Sequence, residues 1–219
     1  SNIILKKIIL LIIALGSLVF LWVFLSEEEP LTGEFYKSPL PEKFIESSYY
    51  SEYNLKDKFV IYVDFSISRR NRRLWVVDKG EVIASSYTAH GKKSASFSSF
   101  LPPKKFSNVE GSNQSSLGIY RIYPELKMNP NKKHTCTCEN YNQNNGCSHK
   151  GKKFPINGLE ETNNNAINRG IVIHTASYVG EEGCKGNSDG CFTVSPEIFE
   201  ILQHKRMLFF KKCYLVAII

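Results

Sequence analysis

The chain has 219 residues, 42% of them hydrophobic and 12% aromatic, enough for one domain with a real core plus a tail. Its formal net charge is +7, which suits anionic envelope polymers or lipid headgroups as partners, although a solvated basic face is the simpler account. No nucleic-acid motif accompanies the charge, so a nucleic-acid partner is not expected.

In chain order, the first feature is residues 8–25, IILLIIALGSLVFLWVFL, a run without charge. At the helical rise it spans about 27 Å, close to one hydrocarbon core. Lys6 and Lys7 precede it, and Glu27, Glu28 and Glu29 follow. That asymmetry predicts a cytoplasmic N-terminus and a body on the extracytoplasmic (periplasmic) side. A cleaved signal peptide is the competing reading, but it calls for a shorter apolar core and small residues at a cleavage site. Leu21 to Leu25 is bulky throughout, so the expectation is a single-pass transmembrane anchor in the cell membrane. The predicted organisation is a stub and anchor over 1–26, a spacer and short helix over 27–57, and one domain over 58–219. The short helix is Glu42 to Glu46, after Pro39 and Pro41.

From Phe59 onward strand signals recur. Phe59 to Phe65 is apolar and β-branched. Arg73 to Asp78, then Lys79-Gly80, then Glu81 to Tyr87 predicts a hairpin with a two-residue turn. Leu117 to Tyr123, Arg169 to His174 and Cys213 to Ile219 supply further strands. Ser195-Pro196-Glu197 is a cap, first-turn proline and acidic first turn ahead of Ile198 to Leu202, which predicts a helix. The fold class is therefore mainly β with small helices.

Pro124 to Asn157 reads as an insertion, rich in Asn, Lys and Cys and without apolar period. A long structureless loop in a compact domain tends to be functional. It carries His134, Cys136, Cys138, Cys147 and His149, out of six cysteines in the chain. Two chemistries are open: disulfides, as an exported domain permits, or a zinc site. Disulfides are the expectation, with Cys184 as the partner outside the loop, and Cys213 reads as a buried thiol.

The chemistry concentrates between Ile171 and Glu197. Ile171-Val172-Ile173 is a buried strand that ends on His174. Gly186-Asn187-Ser188-Asp189-Gly190-Cys191 is a turn. A thiolate, a fixed imidazole that lowers its pKa, and backbone N–H donors at Gly190 and Cys191 are the parts that acyl transfer needs.

The His-strand followed by G-x-S-x-G-C resembles the catalytic core of the L,D-transpeptidases, the YkuD-type cell-wall enzymes, and their second subfamily in particular. Phe106-Ser107-Asn108, Gly111 to Tyr120, Gly158-Leu159-Glu160 and Asn165-Ala166 support the resemblance, which runs from about Phe59 to the C-terminus. It implies a YkuD-like β-sandwich and a cysteine acyl-enzyme formed on peptidoglycan stem peptides, with no cofactor and no metal. Cys191 is then the nucleophile and His174 the base. The Thr175 carbonyl orients the imidazole, and Gly190 and Cys191 form the oxyanion hole. Ser188, Asn187, Asp189, Tyr120 and His90 are the candidate substrate-binding residues. The pattern departs from the family at Thr175, Asn187 and Phe192, where glycine, arginine and proline are common. An amine acceptor makes the enzyme a transpeptidase and water makes it a carboxypeptidase or amidase. An idle wall-binding protein using the same cleft is the alternative from another class. A papain-like protease lacks its orienting Asn and its cysteine-bearing helix here.

Overall fold

The structure, a computed structural model, describes residues 38–95, 101–123, 153–180, 182–205 and 212–219. These belong to the second of two compact units, residues 35–219. The apolar run at 8–25 and the Cys/His cluster of 134–149 lie outside the described residues. No described helix is long and apolar enough to cross a membrane.

All six residues of β1, Phe59–Asp64, are buried. Side chains alternate across a strand, so Phe59, Ile61 and Val63 enter one apolar cluster while Val60 and Tyr62 enter a second on the opposite face. A strand covered on both faces belongs mid-sheet, and β1 lies between β2 (Leu74–Asp78) and β10 (Cys213–Ile218), antiparallel to the first and parallel to the second. The remaining strands are β3 (Glu81–Ser86), β4 (Gly118–Ile122), β5 (Phe154–Gly158), β6 (Val172–Thr175) and β9 (Phe192–Val194). The eight run in the order β3-β2-β1-β10-β4-β5-β6-β9, and β7 (Val179–Gly180) pairs separately with β8 (Gly183–Cys184). The predicted hairpin is present: Asp78 faces Glu81, and Lys79 and Gly80 take φ of 49° and 82°, the left-handed pair that a two-residue turn requires.

Strand β5 joins two layers. Its C-terminal half, Ile156 to Gly158, pairs with β4, and its N-terminal half, Phe154 and Pro155, pairs with β6. The sheet folds over at this strand. Ile61, Val63 and Leu74 from one side therefore share a core with Ile173, Phe192 and Val194 from the other, and the rings of Phe65 and Phe192 stack at 6.1 Å. The fold is mainly β with small helices, as expected, and its core is enclosed by one continuous eight-stranded sheet.

Two sequence boundaries shift. Residues 154–157, read as the end of an insertion, form a core strand. Residues 38–57, read as spacer with a short helix, are part of the folded body: α1 (Glu42–Ile45), at the predicted helix, α2 (Ser48–Glu52) and a 3-10 turn at Leu55–Asp57 cover the outer face of the sheet. Phe44 and Leu55 are fully buried there, with Phe44 against Tyr62 at 4.8 Å between ring centres. Two more helices follow, α3 (Ala166–Arg169) and α4 (Pro196–His204). Ser195 caps α4, its hydroxyl accepting the Ile198 N–H at 3.5 Å.

Candidate active site

The parallel pairing of β6 with β9 sets Ile173 beside Phe192 and His174 beside Thr193. Continued one residue back, this register sets Cys191 beside Val172. Residues two apart share a strand face, so Cys191, Val172 and His174 lie on one face, and Ile173 and Phe192 point the other way into the core. Cys191, just before β9, thus lies level with Val172, two residues along β6 from His174.

His174 Nδ1 is 2.7 Å from the Thr175 carbonyl. A carbonyl oxygen only accepts, so Nδ1 carries the proton and Nε2 presents its lone pair. Burial lowers the imidazole pKa, the Thr175 carbonyl opposes the shift, and the Lys153 ammonium adds to it. The Cys191 thiol is 3.7 Å from the Gly170 carbonyl. Burial raises its pKa most, the Val172 N–H lowers it, Asp189 raises it, and the cations Arg169 and Lys153 lower it, with a net upward shift. At neutral pH the structure therefore holds a thiol and a neutral imidazole rather than a preformed ion pair.

Gly190 sits at φ 122°, and a Cβ there would meet the Gln114 carbonyl at 2.7 Å and Arg169 Nη2 at 3.0 Å. Only glycine fits this turn. Its N–H, expected to face an oxyanion, donates instead to Ser188 Oγ at 3.1 Å. Ser188 Oγ in turn donates to the Cys191 carbonyl at 2.7 Å.

Ser188 is therefore spent on shaping the turn, not open to substrate. Tyr120 is fully buried, its hydroxyl donating to the Ser116 carbonyl at 2.9 Å and its ring edge-on to Phe192; it is a core residue. His90, read as cleft-lining or structural, is also fully buried. Its Nδ1 lies 3.0 Å from Arg73 Nη2, so Nδ1 accepts and Nε2 bears the proton, without a partner among the described residues. Asp189 remains at the surface, paired with Lys92 at 2.7 Å. Asn187, in the position where the family commonly has arginine, accepts through Oδ1 from Arg69, which also donates to the Gly186 carbonyl. A guanidinium from the loop after β1 thus grips the turn. Cys184, the expected disulfide partner of the insertion, is a free buried thiol, turned onto the Gly186 carbonyl at 3.3 Å and packed with Ala89 and Val179.

Three cations escaped the sequence reading. Arg169, at the end of α3, donates to the Ser107 carbonyl at 2.7 Å and the Gln114 carbonyl at 2.5 Å, directly beneath Gly190. Arg69 reads in sequence as one member of a basic run. Lys153 reads as one lysine of a polar loop. Nothing local distinguishes any of them; their partners are remote in sequence. No group of three or more metal-ligating side chains occurs among the described residues.

A sequence model of the L,D-transpeptidase catalytic domain, of the second YkuD type, matches residues 40–210. The chain belongs to this family. No functionally curated protein matches the chain. Among solved structures it is similar to the L,D-transpeptidase from Xylanimonas cellulosilytica, at 12% identity and a TM-score of 0.34, over 74% of this chain and 61% of that one. The chain thus spans about three-fifths of the length of that relative. Within the matched span, Asn108 holds Asn165 through two hydrogen bonds, and Asn163 and Glu160 bind the backbone of Ile119. These family residues form the scaffold under α3 and β4.

Proposed function

We propose that the chain is an L,D-transpeptidase acting on peptidoglycan through Cys191. The observation that carries this reading is the juxtaposition of Cys191 and His174 on one face of β6 and β9, in a chain of this family, with the imidazole held by the Thr175 carbonyl. The donor is a tetrapeptide stem. Cys191 turns from the Gly170 carbonyl towards His174 Nε2, which takes the thiol proton as sulfur bonds to the carbonyl carbon of the third stem residue. The Cys191 N–H and the Gly190 N–H, once released by Ser188, hold the oxyanion. Collapse breaks the C–N bond, and D-alanine leaves with the proton from the imidazolium. An acceptor amine then attacks the thioester, gives its proton to His174, and the thiol is restored. Water in place of the amine gives the hydrolytic variant. Each step is complete with the chain's own groups.

The apolar segment 8–25 anchors this domain to the cell membrane, with the body on the extracytoplasmic side. A C-terminal reporter is expected to be active only outside the cytoplasm, and the N-terminal residues are retained; a soluble form beginning near Glu27 would show cleavage instead.

The resting geometry also favours a second reading. A buried protonated thiol and an occupied Gly190 N–H suit an idle, wall-binding site. Intact mass separates the two. Incubation with a stem tetrapeptide or a carbapenem is expected to add one acyl group to the protein, none to Cys191→Ala, and to add it about 10²-fold more slowly in His174→Ala, as for loss of a general base. A folded wild-type protein that stays unmodified leaves only the binding reading.

A further inference from the structure

The antiparallel register of β5 and β6 sets Phe154 beside Ile173 and Pro155 beside Val172. One residue earlier, the same register carries Lys153 to the level of His174. Phe154 and Ile173 enter the core, so by alternation Lys153 and His174 project from the opposite face of β5 and β6, while Cys191, at the border of that core, immediately precedes β9. Three side chains with distinct chemistry, an ammonium, an imidazole and a thiol, thus follow one another across three adjacent strands. The electrostatic influence of Lys153 on both His174 and Cys191 agrees with this placement.

The other cations nearby are occupied. Arg169 is held by the carbonyls of Ser107 and Gln114, Lys92 by Asp189, and Arg69 by Gly186 and Asn187. Lys153 is half-buried and has no carboxylate partner among the described residues. An ammonium set beside a reactive centre suits an anionic group delivered by the substrate.

We infer that Lys153 binds the free C-terminal carboxylate of the donor peptide, so that the site favours a carboxylate over a carboxamide on the leaving residue. This rests on the acyl-transfer reading above. When the scissile carbonyl lies over Cys191, the carboxylate of the leaving residue is about one residue length, ~3.5 Å, further along the chain. Adjacent strands are about 4.8 Å apart, and the flexible four-carbon stem of lysine bridges the remainder.

The test compares two stem tetrapeptides, one ending in a carboxylate and one in a carboxamide, by the rate of thioester formation on the full chain. Wild type is expected to prefer the carboxylate by about tenfold or more, as for a charge-assisted hydrogen bond. Lys153→Gln is expected to bring the ratio close to one by slowing the carboxylate peptide about tenfold more than the carboxamide, and Lys153→Arg to keep most of the preference. A thermal unfolding midpoint close to that of wild type confirms that Lys153→Gln is folded, and alkylation of Cys191 by neutral iodoacetamide, which carries no carboxylate, reports the part of any loss that comes through the thiol alone. An unchanged ratio in Lys153→Gln, or an equal slowing of both peptides, overturns the inference while leaving the acyl-transfer reading intact. Failure of both peptides to acylate a wild type that iodoacetamide still alkylates overturns both.

Discussion

Burial lowers the pKa of His90 to about 3, with the guanidiniums of Arg73 and then Arg69 adding to the effect. A depressed histidine value means that the unfolded chain binds the proton first. Between the ordinary value near 6.5 and the folded value near 3, the unfolded state therefore holds more protons and stability rises with pH. The contribution is complete above about pH 6.5 and is lost as the pH falls towards 3. Urea unfolding at a series of pH values is expected to show a decline below pH 6.5, amounting to a few kcal/mol at its limit, and His90→Asn is expected to flatten it. An identical slope in the variant would remove His90 from the account. His174 differs from His90 in what surrounds it: its Nδ1 proton is given to a backbone carbonyl, which leaves Nε2 aimed away from that bond. One imidazole is locked into the scaffold and the other keeps a basic nitrogen for use.

The elements that deliver the site depend on a charge that the site itself does not display. Arg169 ends α3, and its guanidinium ties Ser107, Ser116 and Gln114 together, immediately below the Cβ-less position of Gly190. Arg169→Met keeps a long apolar stem but removes these charge-assisted bonds. The expected cost is roughly 2–3 kcal/mol, seen as a lower denaturation midpoint, together with slower acylation of Cys191 as the Gln114 and Gly190 segments separate. Retention of both midpoint and rate would mean that the turn holds itself. The same residues explain what could be read from the chain. Strands β1, β2, β3, β4, β6 and β10 follow from runs of β-branched and aromatic residues, and the cap of α4 from Ser195-Pro196-Glu197. Strand β5 was hidden because Pro155 reads as a strand breaker. Here its carbonyl still accepts the Tyr123 N–H at 3.0 Å, at the point where β5 exchanges one neighbour for another. Cys191 and His174 stood out because their surroundings form a contiguous pattern. Arg69 did not, because its partner Asn187 is 118 residues along the chain. Tyr120, in the middle of β4, and His90, beyond β3, are core residues and not substrate-binding ones, which sequence alone does not reveal, because an aromatic or a histidine looks the same in sequence whether it faces solvent or core.

At the scale of the whole molecule, the sheet has two covered faces, each with its own apolar cluster. The outer face depends on the segment before β1. Phe44 seals it, stacking on Tyr62 at 4.8 Å and meeting Tyr50 edge-on at 5.2 Å, while Tyr53 meets Tyr214 at 5.5 Å. Tyr49 adds a polar tie, its hydroxyl donating to Glu160 at 2.9 Å, and Glu160 in turn accepts the Ile119 N–H. The N-terminal helices are thus joined to the loop that carries α3, on the side of the sheet away from Cys191. Phe44→Ala leaves a cavity over Val60, Tyr62 and Val216, and removal of a fully buried phenylalanine costs about 3–5 kcal/mol. The full chain carrying this change is expected to unfold at a markedly lower temperature. Below its transition it is expected to acylate Cys191 within about twofold of the wild-type rate, since β6 and β9 pack against the other cluster. A rate that falls in proportion to stability, measured well below the transition, would mean instead that the two faces of the sheet are coupled and that the outer helices help to set the geometry of the site.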